Sequence, residues 1–429
     1  MLSREENDLL TQTGPGTPGG ELLRRYWQPV ALAKELPEGG APIPIRLLSE
    51  DLTLFRDEHG RIGLLGLHCP HRGADLSYAR IEDGGLRCLY HGWLFDVDGR
   101  CLEQPGEPAG STYYQKIQHV SYHTLEKAGL IFAYLGPGEP PMLPAYEPLE
   151  VPDEHRWVAK YFHGCNHLQG NEGNLDPAHP AFVHGFLPGN SRVHAREGIG
   201  FSAEERMNGI PVECAAEETD FGARFWELRR TLNPDERVVG ISNFVLPNLC
   251  AVRGGPSPLG DGYLIYWHVP ADDHHHWRFA IAFKRSGPLN HELAKRRTSM
   301  LDVDYRFEQQ RSNRYLQDRE EMKTSTFAGF GTVFVTGDHW AIESTGAIQD
   351  RTQEHLGASD IEVAASRRVL LRAMRELQEG IEPPHVIRSA AANDLSHLTQ
   401  EENPVPASLS LDEYRKQRAL PDRSPSLPA

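Results

Sequence analysis

The sequence predicts an α+β protein in which an all-β domain over residues 41–136 precedes a larger domain, residues 137–400, of antiparallel strands and helices. Three observations carry this. Hairpin signals crowd the first third, a proline-rich crossing (Gly136-Pro-Gly-Glu-Pro-Pro-Met-Leu-Pro144) follows, and strand-like runs then give way to one amphipathic helix. The 429 residues allow two or three domains, and 39% hydrophobic with 24% charged residues describes an ordinary globular chain. A net charge of −16 argues against nucleic acid or anionic membranes as partners. No apolar run approaches the roughly eighteen residues of a membrane span. The polar start, Met1-Leu-Ser-Arg-Glu-Glu, is unlike a signal peptide. Six cysteines in so long a chain do not make a disulfide scaffold, so a reducing, cytoplasmic location is expected. Cys101, Cys165, Cys214 and Cys250 are scattered and expected as core thiols.

Taken in order, residues 1–40 suggest short helices, with Glu21-Leu-Leu-Arg-Arg-Tyr-Trp as the amphipathic piece. The turn Gly14-Pro-Gly16-Thr-Pro-Gly19 matches G-x-G-x-x-G, but no strand precedes it and two prolines occupy it, so no nucleotide site is expected. In residues 41–136, Leu52-Thr-Leu-Phe and Ile62-Gly-Leu-Leu-Gly-Leu flank an Asp57–Arg61 turn. Trp93-Leu-Phe-Asp-Val runs into Asp98-Gly99, a hairpin signal, and Leu130–Leu135 closes the domain. Beyond the crossing, strands are expected at Phe225–Leu232, Val238–Val245, Tyr263–Val269 and Trp277–Phe283. Residues 290–322 have the charge texture of exposed helix, and Ser359-Asp-Ile-Glu362 resembles a capping box opening a helix that ends at Gly380. His274-His275-His276 is expected as a solvated strand start with adjacent rings on opposite faces. Residues 401–429, rich in Pro, Ser and charge, are expected as an extended arm.

The chemistry begins with Cys69-Pro-His71-Arg-Gly-Ala-Asp-Leu and Cys88-Leu-Tyr-His91-Gly-Trp, with sixteen residues between His71 and Cys88. Each loop can give one thiolate and one imidazole. That is the donor set of a Rieske [2Fe-2S] cluster, in which two thiolates hold one iron and two imidazoles the other. A structural zinc site is the rival, but it pairs Cys with Cys and His with His.

A second constellation lies in Asn171-Glu-Gly-Asn-Leu-Asp176-Pro-Ala-His179-Pro-Ala-Phe-Val-His184. Two histidines and a carboxylate suit non-haem Fe(II), which keeps coordination positions open for O₂. At this i, i+5 spacing an ideal helix turns about 500°, aiming the rings about 140° apart. Pro180 is expected to push His179 out of α geometry, so that a broken or bulged helix aims both rings at one ion. Asp176 could bind the iron or hydrogen-bond the His179 ring. A distant candidate is Asp338 in Val333-Phe-Val-Thr-Gly-Asp338-His-Trp-Ala-Ile-Glu343, after a short apolar strand, where an N-cap role competes.

These motifs, with Met1-Leu-Ser-Arg-Glu-Glu-Asn, Leu22-Leu-Arg-Arg-Tyr-Trp and Gly346-Ala-Ile-Gln-Asp-Arg-Thr-Gln-Glu-His-Leu-Gly, resemble the Rieske non-haem iron oxygenases, closest to the phthalate 4,5-dioxygenase type. The resemblance spans nearly the whole chain. It implies a Rieske domain followed by a helix-grip catalytic domain, cluster ligands Cys69, His71, Cys88 and His91, and mononuclear iron ligands His179, His184 and Asp338, with Glu343 as fallback for the third. It also implies that Asp176 bridges His91 of one subunit to His179 of its neighbour in a homotrimer or hexamer. Electrons would come from a separate NAD(P)H-dependent reductase of flavin or ferredoxin type. The expected activity is hydroxylation or O-demethylation of a small aromatic compound by O₂. The rival function is a Rieske electron carrier or iron sensor without oxygenation. An aromatic carboxylate substrate would call for an arginine, with candidates Arg206, Arg224, Arg229, Arg230 and Arg253. Phthalate-acting members resemble one another in an arginine before an Ile-Thr-x-Phe-x-x-Pro-like strand. Here Gly240 stands before Ile241-Ser-Asn-Phe-Val-Leu-Pro, and Pro177-Ala178 offers no hydroxyl, so a related aromatic acid or methoxyaryl substrate is expected.

Overall fold

A computed structural model of the chain describes residues 1–187, 209–253 and 261–418. Helix α1 (Arg4–Thr11) starts at Ser3, whose hydroxyl accepts from the Glu6 N–H while the Glu6 carboxylate accepts from the Ser3 N–H. Helix α2 (Pro18–Arg24) has Thr17 as its cap and Pro18 in its first turn, so the Gly14–Gly19 turn serves a helix start.

Six strands build the first sheet: β1 (Gln28–Leu32), β2 (Ile43–Leu47), β3 (Glu50–Arg56), β4 (Ile62–Gly66), β9 (Ser121–Lys127) and β10 (Leu130–Tyr134), in the order β1-β10-β9-β4-β3-β2. Strand β1 lies inside the segment expected to be helical. Its residues are all buried, and Pro29 sits at a register shift against β10 on the sheet edge, where a missing N–H is tolerated. A smaller sheet, β5 (Arg80–Glu82), β6 (Gly85–Arg87), β7 (Leu94–Phe95) and β8 (Cys101–Glu103), is inserted between β4 and β9. The Asp98-Gly99 turn joins β7 to β8, with Gly99 at φ 79°.

The second domain is one antiparallel sheet of β11 (Arg156–His163), β12 (Pro211–Thr219), β13 (Gly222–Arg230), β14 (Glu236–Val245), β15 (Leu249–Arg253), β16 (Tyr263–Asp272), β17 (His275–Phe283) and β18 (Glu401–Pro406). Its order is β11-β17-β16-β15-β14-β13-β12, with β18 added on β14. The four strands expected from sequence are β13, β14, β16 and β17.

Four further expectations need correction. Residues 401–418 are not an extended arm: the short β15 covers only Asn243–Val245 of β14, and β18 pairs with the remaining Glu236–Ile241. Val405 and Leu411 then fill buried positions beside Trp226, Leu228 and Ile241. Residues 290–322 form short turns at His291–Lys295, Arg296–Thr298 and Arg311–Leu316 rather than one helix. Positive φ at Tyr305 and Arg314–Leu316 bends the segment so that Phe307 is buried under Tyr161. His276 is fully buried, not solvated, because it faces inward on β17 with its ring on the Cys165 carbonyl, while His274 stays exposed. Burial lowers its pKa to about 3. Finally, the helix expected after Ser359 is capped differently: the Asp360 carboxylate accepts from the Gly357 N–H.

That helix, α6 (Ile361–Gln378), ends at Gly380 (φ 84°) and packs its apolar face on α1 and α2 through Leu10, Leu22, Val369, Leu370 and Met374. All six cysteines are free, and only Cys214 is partly exposed. No described helix is long and apolar enough to cross a membrane.

Candidate metal centres

The two cluster loops are built alike. In each, the cysteine N–H donates to the carbonyl five residues on (Cys69 to Ala74, 2.8 Å; Cys88 to Trp93, 2.9 Å). The carbonyl of each cysteine accepts from a glycine N–H four residues on, at Gly73 and Gly92, and both glycines sit at φ near 75°. An L-residue would be strained in that conformation. The loops bring the His71 and His91 rings to 4.4 Å between centroids, and His71 stacks on Trp93 at 4.5 Å. Two features fit a metal cluster. The His71 Nδ1 is buried with no hydrogen-bond partner among the described residues. Burial pushes the Cys69 thiol up to about 11, with Cys88 adding to the shift, so a thiolate there needs a cation. Leu89 and Tyr90 stand exposed at the tip.

The second centre forms where a helix breaks. Helix α3 (His167–Leu175) stops at Asp176, whose backbone is extended (φ −72°, ψ 113°). Its Oδ1 accepts from the N–H groups of Ala178 (2.8 Å) and His179 (3.3 Å). Helix α4 (Pro180–Val183) then restarts with Pro180 in its first turn. His179 keeps α values (φ −56°, ψ −34°), so the break lies at Asp176–Ala178 and not, as the sequence suggested, at His179. The two histidines bracket this single turn, with ring centroids 5.5 Å apart. The Nδ1–H of His179 donates to the Asp176 carbonyl (2.8 Å), which leaves Nε2 free to ligate.

Asp338 arrives on helix α5 (Phe334–Ser344), in its second turn rather than at its cap. The apolar run expected as a strand is helical because Val335 buries itself among Tyr161, Phe307 and Met300. Asp338 Oδ1 lies 2.9 Å from His184 Nε2 and 3.5 Å from His179 Nε2. Burial alone would push the Asp338 carboxyl up, but the two histidines outweigh it and hold it far below the usual range. Burial lowers His184, while Asp338 and Asp176 overcome burial and raise His179. The approach of α4 to α5 needs Gly337, where a Cβ would stand 2.4 Å from Val183 Cγ1. A small cleft opens beside His184, lined by Phe186, Phe330, Val333 and Phe334. Glu343 does not join this group; its carboxylate accepts from the Gly164 N–H.

Of the candidate arginines, Arg224 is committed to the His397 carbonyl (2.7 Å), Arg229 pairs with Glu402, and Arg230 is exposed. Arg206 and the Arg253 side chain lie outside the described residues. Sequence reasoning missed Arg278, on β17. It is 1% exposed, lies over the rings of Tyr161 and Tyr266, and its Nη1 is 3.9 Å from Asp338 Oδ2. The available signal was parity: Arg278 shares a strand face with His276 and Ala280, both buried.

Residues 26–120 match the Rieske [2Fe-2S] domain, and residues 133–397 match the family described as "LigXa C-terminal domain like". The chain is 37% identical over 397 residues to the phthalate 4,5-dioxygenase oxygenase subunit of Pseudomonas putida, covering 89% of this chain and 88% of that one. It is 32% identical to the 5,5'-dehydrodivanillate O-demethylase oxygenase subunit of a Sphingobium species, covering 92% and 85%. Among solved structures, the terminal oxygenase of carbazole 1,9a-dioxygenase from Nocardioides aromaticivorans shares the fold with a TM-score of 0.59 at 19% identity, covering 86% of this chain and 97% of that one. Full-length similarity to oxygenase subunits sets aside both the zinc module and the bare electron carrier. The chain belongs to the Rieske non-haem iron oxygenases, with a [2Fe-2S] cluster and a mononuclear iron as its cofactors.

Proposed function

We propose that this chain is the terminal oxygenase for an aromatic carboxylate or methoxyaryl substrate, with its cluster held by Cys69, His71, Cys88 and His91 and its iron by His179, His184 and Asp338. When bound, the cluster passes single electrons and the iron activates O₂. The observation that carries the reading is the convergence of two histidine Nε2 atoms on one Asp338 oxygen. The Asp176 carbonyl fixes the His179 tautomer, Gly337 lets α5 approach, and the aromatic cleft beside His184 orients a planar substrate. Arg278 supplies buried positive charge behind Asp338, which supports an anionic substrate.

We also propose an electron path into and through the assembly. Electrons enter from an NAD(P)H-dependent reductase of flavin or ferredoxin type, in the cytoplasm. They leave through His91 toward the Asp176–His179 pair of a neighbouring subunit, in a trimer or hexamer. The part-exposed Asp176 carboxylate and the exposed Leu89 and Tyr90 are available for such contacts.

Iron counting on Asp338→Ala tests the ligand set. The variant should lose one iron in three while the visible cluster spectrum persists; unchanged iron content would overturn the assignment. Product analysis from ¹⁸O₂ with a surrogate reductase, across benzoates, phthalates and methoxybenzoates, tests the substrate. Fast, coupled turnover of phthalate in preference to the others would refute that part.

A further inference from the structure

A second histidine–histidine–carboxylate group lies on an adjacent face of α5, turned about 100° from Asp338. It joins His163, at the end of β11, to His339 and Glu343, one turn apart on α5, with one donor atom from each within 4.8 Å of the others. The His163 and His339 Nδ1 atoms are 3.0 Å apart, and His339 Nδ1 is 3.5 Å from Glu343 Oε1. The corresponding spacings in the His184–Asp338–His179 group are 2.9 and 3.5 Å. Two donors bound at about 2.0–2.1 Å to one ion stand about 3 Å apart when the angle at the ion is near 90°.

The His339 ring accepts from the His163 Nδ1–H across the 3.0 Å gap, so a single proton occupies the place an ion would take. His339 Nε2–H donates to the Gln309 carbonyl (3.0 Å), so its Nδ1 carries a lone pair. That lone pair points toward a carboxylate oxygen and a second imidazole nitrogen. Only a proton or a metal cation between them makes the arrangement favourable. A ligating histidine whose other N–H is fixed on a carbonyl is the usual outer arrangement of a metal site. The carboxylate is also held: the Gly164 N–H donates to Oε1 and the Tyr315 hydroxyl to Oε2 (3.4 Å). Glu343 is the least buried of the three, with 12% of its side chain exposed, so an ion could enter past it. Arg311 stays outside, donating to the Glu343 carbonyl.

We infer that His163, His339 and Glu343 form a second metal site, taking a first-row divalent cation such as Zn²⁺ or Fe²⁺. The ion ties β11 to the helix that carries Asp338, so its effect on the reaction is positional. Two imidazoles and a carboxylate suit these cations rather than Mg²⁺ or Ca²⁺.

The test counts metals in the full-length, cluster-loaded enzyme after anaerobic incubation with excess zinc and desalting. Wild type should carry three irons and one zinc. The Asp338→Ala variant, with the catalytic group disabled, should keep that zinc, so failure here is separable from failure of the proposed iron ligands. Glu343→Gln and His163→Gln should each lose the zinc equivalent and keep the cluster absorption. Zinc-edge X-ray absorption on wild type covers the case of unfolded variants and should report nitrogen and oxygen neighbours. Wild type without zinc, zinc lost in Asp338→Ala, zinc retained in Glu343→Gln, or sulfur neighbours around zinc would each overturn the inference.

Discussion

Replacing Glu172 by glutamine should destabilise the catalytic domain by about 3–5 kcal/mol, the cost of leaving a buried charge without its partner. Glu172 lies on α3, four residues before the break at Asp176, and 9% of its side chain is exposed. Its carboxylate accepts from Arg351 Nε (3.1 Å) and Nη2 (2.8 Å) and from Arg367 Nε (2.6 Å). Arg367 also holds Glu354, and Arg351 Nη1 reaches Asn7 Oδ1 at 3.3 Å. Two anions thus balance two guanidiniums, exposed by 0% and 4%. Glutamine keeps the shape but leaves one positive charge unmatched among α1, α3 and α6. Burial pushes the Glu172 carboxyl up, yet Arg351 and Arg367 outweigh it and hold the pKa below the usual 4.5. A lowered folded pKa means that the stabilisation is fully present above about pH 4.5 and fades as pH falls through the folded value. Denaturant unfolding followed by tryptophan fluorescence, at pH 7 and stepwise toward pH 4, measures both effects. The first cooperative transition is the relevant one in a two-domain chain. A wild-type advantage below about 1 kcal/mol at pH 7, or one that widens in acid, would refute the reasoning.

Asp176→Asn should retain all three irons and lose multiple turnover, checked by iron assay beside oxygen uptake with a reductase. Gly337→Ala should cost about 1–3 kcal/mol of overpacking against Val183 and lower iron occupancy, since His184 and Asp338 move apart. Thermal unfolding and iron content check both parts. Arg278→Gln should raise KM for a carboxylate substrate while leaving KM for a neutral methoxyaryl analogue within about twofold; equal changes for both would assign Arg278 to Asp338 alone.

The cluster motif was legible because all four residues lie on two local loops whose glycines also sit in sequence. The histidines of the second centre were legible for the same reason, within one turn of helix. Asp338 was only a distant candidate from the residues, named as a ligand through the resemblance: it reaches His184 across 154 positions, and its surroundings looked like strand followed by cap because Val333-Phe-Val favours β structure in isolation. Burial of Val335 decided otherwise. The tail beyond residue 400 misled by composition, since its role depends on a gap that β15 leaves on β14. Glu172 gave no local signal, because its partners Arg351 and Arg367 come from distant parts of the chain.

The position of α1 and α2 on α6 has a consequence for synthesis. Leu10 and Leu22 leave the ribosome early, but the helix that covers them, Ile361–Gln378, is encoded some 340 positions later. At roughly 5–20 residues per second they wait about 20–70 s. Residues 28–32, only four positions beyond α2, meet their sheet partner Leu130–Tyr134 much sooner. The N-terminal domain can therefore close its sheet while the helices at its head still show bare leucines. A translation stall between these two moments would leave a nascent chain with one finished half and a sticky leading end, the species most in need of a chaperone.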